Sequence, residues 1–257
     1  MALLPVHHEI DRKDSAGQGN YLAGLWEKTL IDNLTWYRET DDGPFHPRPQ
    51  EWRAPTWSWA AGVGSVHFRQ SMNLMPRTFV SIINASMAPK GDDVTGELSS
   101  STLVVQGKCL IGVYQFNGSF SLQSSVSINV SSKAHQHTRM SIELYLKTPA
   151  YSMHWDISGG QFSYLIYPDY HLDDSDPLRE SQGSAVLVMK VNEKDLGLNE
   201  REQGWLVLRM IDCEMRSFER IGVMYTVNDL YDGLTREDRA LSDMYDRSAR
   251  ELVLTIV

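Results

Sequence analysis

Apolar and polar positions alternate along much of this chain, and the alternation predicts strands. Phe120, Leu122, Val126, Ile128 and Val130 keep one parity while Ser121, Gln123, Ser125, Ser127 and Asn129 keep the other. Met140, Ile142, Leu144 and Leu146 repeat the pattern against Ser141, Glu143, Tyr145 and Lys147. A period of two places one dry and one wet face on an extended segment. Shorter β-prone runs occupy Thr78–Met87 and Thr102–Gln106, separated by the turn-forming Pro89-Lys90-Gly91-Asp92-Asp93. Further strands are expected at 161–167, 184–191, 204–211, 218–227 and 251–257. Many short strands with turns between them predict a mainly β fold, an antiparallel β-barrel or sandwich with a few peripheral helices. Residues 1–20 read as an N-terminal tail, with His7 and His8 in it, and 21–257 as a single β-rich domain.

Two segments carry a helical period instead. Between Tyr21 and Leu34 the apolar residues fall at Leu22, Leu25, Trp26, Leu30 and Leu34, leaving Glu27, Lys28, Asp32 and Asn33 for water. That spacing predicts a helix over 21–34. Thr235-Arg236-Glu237-Asp238 has the outline of a capping box, and Ala240, Leu241, Met244 and Tyr245 supply an apolar stripe, so a second helix is expected over 235–247. It either packs on the β body or closes over a pocket.

Five of the seven tryptophans (Trp26, Trp36, Trp52, Trp57 and Trp59) stand in the first quarter of the chain. Each couples a large apolar body to one N–H donor, so the cluster predicts an aromatic core or a lined pocket, with Trp26, Trp36, Trp57 and Trp59 largely buried. Trp57 and Trp59 share a face if the backbone there is extended.

The order of motifs here resembles a known family. Tyr21-Leu22-Ala23-Gly24-Leu25-Trp26, Leu34-Thr35-Trp36-Tyr37 and Arg53-Ala54-Pro55-Thr56-Trp57-Ser58-Trp59-Ala60 are similar to the segment that follows the heterokaryon-incompatibility (HET) domain of fungal proteins. Gly204-Trp205-Leu206-Val207-Leu208-Arg209, Phe218-Glu219-Arg220-Ile221-Gly222-Val223 and the terminal Leu254-Thr255-Ile256-Val257 resemble its later strands. The resemblance implies the C-terminal β-rich region of such proteins. The HET domain itself would precede Tyr21, where 20 residues stand, so the cell-death role tied to it is not carried over.

Composition narrows the function. The chain has 257 residues, 24 basic and 33 acidic side chains and a net charge of −9, which argues against a partner bound through nucleic-acid phosphates. The longest apolar runs, such as Ala185–Met189, are far short of the roughly 18 residues of a membrane span. An early acid at Glu9 interrupts any secretory pattern, and Cys109 and Cys213 read as buried thiols, so a soluble, cytoplasmic protein is expected. Phosphate loops, dinucleotide fingerprints, nucleophile elbows and His-Glu-x-x-His pairs are all missing, and no cofactor or metal is expected. His135-Gln136-His137 is the nearest approach to a metal pair, on what reads as a solvated edge.

Histidine carries the remaining chemistry. His154 and Asp156 share a face in an extended segment, where the carboxylate would raise the basicity of the imidazole. His67 follows the tryptophan cluster, with Arg69 on the same parity. His67, His154 and Asp156 are therefore the candidate proton-handling residues. Trp57, Trp59, Arg69, Trp155 and Tyr164 are the candidate contacts for an apolar small-molecule substrate. Arg209, on a mostly apolar face, reads as structural, held by a carboxylate or by backbone carbonyls. Two functions are expected from these features. The first is a cofactor-independent cyclase or pericyclase of fungal natural-product biosynthesis, in its most concrete form a dehydrating hetero-Diels–Alderase that forms a quinone methide and adds it to a polyene terpene. The second is a non-catalytic interaction module derived from an incompatibility protein. A second copy of the chain is a further candidate partner.

Overall fold

A computed structural model describes residues 17–38, 46–69, 76–93, 95–115, 127–129, 166–170, 184–197, 200–212, 215–229, 245–246 and 249–257. Among these the chain is mainly β. Its strands are β1 (Tyr21–Leu22), β2 (Leu25–Trp26), β3 (Arg77–Thr78), β4 (Val80–Pro89), β5 (Leu98–Gln115), β6 (Ser127–Asn129), β7 (Ile166–Pro168), β8 (Ser184–Gly197), β9 (Glu200–Asp212), β10 (Ser217–Asp229) and β11 (Arg250–Ile256). One short helix, α1 (Leu30–Asn33), and short 3₁₀ turns accompany them.

The pairings close on themselves. β8 pairs with β9, β9 with β10, β10 with β11, β11 with β5, and β5 again with β8. This five-strand circuit makes the arrangement barrel-like, because each member has a partner on both sides. β5 completes it through its length: Leu103–Cys109 pair with β11 and Cys109–Tyr114 with β8. Among the described residues every strand pairing is antiparallel except the short contact of β10 with β11, where Ser217 meets Thr255 and Phe218 meets Ile256. The strands run longer than the apolar alternation alone indicates, since ladder hydrogen bonds carry β8, β9 and β10 into their polar ends. No helix among the described residues is long and apolar enough to cross a membrane.

The helix expected over 21–34 is replaced by a hairpin, a 3₁₀ turn and the single turn of α1. Ala23 and Gly24 both take positive φ, 49° and 94°, between the paired Leu22 and Leu25. Two such residues form the tight turn that matches strand twist, and they cannot continue a helix. The burial implied by the apolar spacing survives: Leu22, Leu25, Leu30 and Leu34 are all buried. The backbone near Trp57 is not extended either, because Trp59–Ala61 form a 3₁₀ turn capped by the Ser58 hydroxyl. Trp36 and Trp57 are buried, Trp26 and Trp59 are half-buried, and Trp52 is exposed. The predicted strand at 140–146, residues 120–126 and 130 of the strand before it, 161–165 of the one after it, and residues 235–244 and 247 of the second helix lie outside the described residues; Tyr245 and Asp246 are helical.

Facing residues of β8 and β9 share one face of the sheet. Leu187 and Met189 oppose Leu208 and Leu206, and this apolar face packs against Leu22, Leu25, Leu30, Leu34 and Trp57 of the N-terminal segment. Cys109 belongs to the same core, and burial pushes its thiol pKa up. A bulge at Val191 keeps Asn192 and Lys194, opposite Gly204 and Glu202, on that face. A second at Ile221 does the same for Arg220, Val223 and Tyr225. Beyond the bulges the face turns from apolar to polar.

Arg220, fully buried, clasps residues 34–38 across this polar end. Its Nη1 donates to the Leu34 carbonyl at 2.7 Å, and its Nη2 donates to the Trp36 carbonyl and to Asp169 Oδ1 at 2.8 Å. The guanidinium carbon sits 3.6 Å from the centroid of the Trp36 ring. Burial works against both charges, raising the Asp169 pKa and lowering that of Arg220, and their mutual attraction opposes it. Arg220→Met strands the Asp169 carboxylate and two carbonyls, and breaking such a buried pair costs about 3–5 kcal/mol. Urea unfolding should register a loss of that order, and a variant within about 1 kcal/mol of the parent would show the clasp to be dispensable.

Candidate functional site

Tyr37 occupies the middle of the site. Its backbone pairs with that of His67 in both directions, N–H to carbonyl at 2.9 and 2.8 Å, which brings residues 67–69 alongside 34–38. Three phenol rings then meet edge to face: Tyr37 with Tyr167 of β7 at 5.1 Å, Tyr37 with Tyr225 of β10 at 5.6 Å, and Tyr167 with Tyr225 at 5.8 Å. The His67 ring lies 5.4 Å from that of Tyr37. The Arg69 guanidinium covers the group, 5.1 Å from the Tyr37 ring and 4.7 Å from that of Tyr225. Such stacking suits a planar cation and leaves its edge free for a carboxylate.

That carboxylate is Glu202, 1% exposed, with Oε2 2.8 Å from Arg69 Nη1. Lys194, directly opposite it in the β8–β9 ladder, donates to the Arg69 carbonyl at 2.8 Å and to the Asp32 carbonyl at 3.4 Å. Asn192 donates to the Thr35 hydroxyl at 3.4 Å, and the Tyr225 hydroxyl donates to the Thr35 carbonyl. Close approach of the 34–38 strip requires Gly204, since a Cβ there would come within 2.7 Å of both Thr35 Cγ2 and Asn192 Oδ1.

Burial sets the electrostatics. It raises the Glu202 pKa above the ordinary carboxylate range, against the pull of Arg69 and Lys194. It also raises Asp32 and lowers Lys194, each partly opposed by attraction to the other. For Arg69, burial is the largest single influence and pulls downward, but Glu202 and the three phenols together outweigh it, so the guanidinium is held charged. Burial likewise pushes the Tyr225 phenol upward. The result is a carboxyl whose charge burial disfavours, next to a fixed cation and a wall of rings. His67, Arg69, Tyr167 and Tyr225 are only half-buried, so this wall reaches the surface.

Of the residues nominated from the sequence, His67 and Arg69 come together here, on the same side as their shared parity implied. Trp57 and Trp59 lie apart from them. Trp57 is wholly buried in the apolar core, its carbonyl accepting from Trp36 Nε1 at 3.0 Å, and Trp59 Nε1 donates to the Gly24 carbonyl at 2.8 Å. His154, Trp155, Asp156 and Tyr164 lie outside the described residues, as do His135 and His137. Arg209 is held by a carboxylate: it pairs with Glu219, which also pairs with Arg48. Among the described residues no three His, Cys, Asp or Glu side chains gather as a metal site would require. Sequence reasoning missed Tyr37, Tyr167, Lys194, Glu202 and Tyr225. Tyr37 and Tyr225 stood within recognisable patterns, but nothing local distinguishes a buried Glu202 from a solvated one.

Another buried cation, Lys190, is enclosed differently. Its Nζ lies 3.8 Å from the centroid of the Phe79 ring and 5.7 Å from those of Trp205 and Tyr245, with Glu193 Oε2 at 3.4 Å. Rings and a carboxylate already occupy its surroundings.

No protein-family model matches the chain, and no curated protein or solved structure matches it either.

The Glu202 shift has a testable sign. A carboxyl whose pKa is higher in the folded than in the unfolded chain contributes stability that is complete below the unfolded value and lost as pH rises through the folded one. Glu202→Gln removes this titration and leaves Asp32 and Asp169 in both proteins. The melting temperature of the parent minus that of Glu202→Gln should therefore fall as pH rises above the free glutamate value of ~4.3. A difference that is constant or rises with pH, followed by scanning fluorimetry, would contradict the assignment.

Proposed function

We propose that this chain is a cofactor-independent enzyme that transfers protons on an apolar, unsaturated small molecule, a cyclase- or lyase-type catalyst of fungal natural-product biosynthesis. The observation that carries the reading is the meeting of Tyr37, Tyr167, Tyr225 and His67 with the Arg69 guanidinium and the buried Glu202 carboxyl. Aromatic edges and faces hold a π-system without demanding a specific hydrogen-bond pattern. A carboxyl with a raised pKa keeps a proton to donate at higher pH than a free glutamate does, and a fixed cation beside it stabilises oxygen as negative charge develops.

In its most specific form the reaction is a dehydration followed by a cycloaddition. Glu202 protonates the departing hydroxyl of a hydroxymethyl-bearing phenol, the C–O bond breaks and water leaves. His67 accepts the phenolic proton, which yields a neutral quinone methide. Addition to a polyene then needs no further proton and gains from a held conformer in a water-poor site. The resemblance of the tryptophan motifs to the region following fungal HET domains supports the fungal setting.

A second reading, a non-catalytic interaction module, is favoured by Trp52 at 49% exposure, together with exposed Val63 and Phe68, all within residues 46–69. Exposed aromatic surface of this kind suits a protein partner. The two readings part in one assay. Incubation with an ortho-hydroxymethyl phenol and a terpene polyene, followed by chromatography and mass spectrometry, should yield the dehydrated adduct. Glu202→Gln and His67→Ala should each lower turnover by about 10²–10⁴-fold with the circular dichroism of the β fold intact. Turnover equal to the parent in both variants would remove the acid–base reading, and no conversion by the parent protein would favour the module.

A further inference from the structure

Next to the tyrosine cluster, and on the same 34–38 strip, the charges do not balance. Arg38 is 6% exposed, and neither its Nε nor its Nη2 has a hydrogen-bond partner among the described residues. Arg220 Nε and Asp169 Oδ2, also buried, are likewise without a hydrogen bond. Asp169 attracts both guanidiniums, whereas Arg220 and Arg53 repel that of Arg38. One carboxylate thus faces two buried arginines. The neighbouring Glu219 is itself shared between Arg48 and Arg209, so it offers no relief. Among the described residues positive charge is in excess here, in a chain whose net charge is −9. Three open donors, Arg38 Nε and Nη2 and Arg220 Nε, stand against the single open acceptor Asp169 Oδ2, and the surplus calls for a further acceptor that carries charge. Residues 62–64 pack against the Arg38 guanidinium: a Cβ at Gly62 would lie 2.5 Å from Arg38 Nη2, and one at Gly64 would lie 3.5 Å from Nη1.

We propose that Arg38 and the open Nε–H of Arg220 form a subsite for a carboxylate carried by a small organic ligand. A planar guanidinium with two free N–H groups matches the two oxygens of a carboxylate, which it binds through parallel hydrogen bonds. Inorganic phosphate shares the charge but not the planarity. The subsite is independent of Glu202 and His67, and its test reads binding alone, so its failure and that of the acid–base reading are separable.

Benzoate is the probe, with benzamide as its neutral isostere and inorganic phosphate as the alternative anion, all at constant ionic strength. Benzoate should raise the melting temperature of the full chain saturably, since a ligand that binds only the folded state stabilises it. Benzamide and phosphate should not. Arg38→Gln should weaken benzoate binding at least tenfold by calorimetry. Gly62→Ala keeps the arginine but pushes a methyl group against its Nη2, and it should weaken binding as well; it decides the matter if Arg38→Gln does not fold. The proposal is overturned if benzoate gives no saturable response or if benzamide matches it. It is equally overturned if phosphate binds and benzoate does not, or if Gly62→Ala and a folded Arg38→Gln bind benzoate as the parent does.

Discussion

Arg220 is the interaction on which the rest of the site depends. It lies on a face whose neighbouring positions hold Phe218 and Leu208, yet it spends its donors on two backbone carbonyls of the 34–38 strip and on Asp169. Backbone carbonyls in an irregular segment need partners as much as those in a sheet. A single guanidinium reaches several at once because its donors form a rigid fork. The clasp is what lets a segment without regular structure lie across a sheet and present Tyr37 and Arg38 in fixed positions. Thr56 extends it: the Arg220 N–H donates to the Thr56 hydroxyl at 2.9 Å, which donates in turn to the Val257 carbonyl. The N-terminal segment, β10 and the chain end are joined at one point.

The polar end of the sheet face is a consequence of two bulges. Without the extra residue at Val191, strand alternation would turn Asn192 and Lys194 to the opposite face, and without that at Ile221 it would separate Tyr225 from Arg220. With both, Lys194, Glu202 and Tyr225 continue the row begun by Met189, Leu206 and Val223. Apolar packing at one end of the face supplies rigidity, and the tyrosine, arginine and glutamate at the other are held in a medium of low polarity. That environment sustains the direction of the Glu202 shift and makes its pairing with Arg69 matter, since charge interactions strengthen as water is excluded.

Legibility in the sequence followed how local each cause was. Apolar alternation found the strands at 184–191, 204–211 and 218–227 because those residues are buried on both sides or on alternate sides. It lost the polar ends of the same strands, where Asn192 and Lys194 look like the start of a turn and are in fact covered by the N-terminal strip. The helical spacing over 21–34 identified the four buried leucines correctly and their backbone incorrectly, and it assigned Asp32 to water although burial raises its pKa. A hairpin whose turn carries two positive φ values buries the same leucines, and apolar spacing alone does not distinguish the two. His67 and Arg69 were legible as a pair sharing a face. Arg220 and Glu202 were not, since each resembles an ordinary charged residue of an exposed strand until its ion-pair partner, Asp169 for one and Arg69 for the other, arrives from a distant segment.

The amino-acid sequence by itself determined the β-rich class, the strands at 184–191, 204–211 and 218–227 and the burial of the N-terminal leucines, because period and hydrophobicity act within a few residues. Only the tertiary structure decided the closure of the strand circuit, the side to which bulged residues turn, and the company each charge keeps. The physical reason is the same for all three. A bulge or a buried ion pair gains its energy from contacts between segments distant in the chain, and no local pattern records which distant segment will arrive.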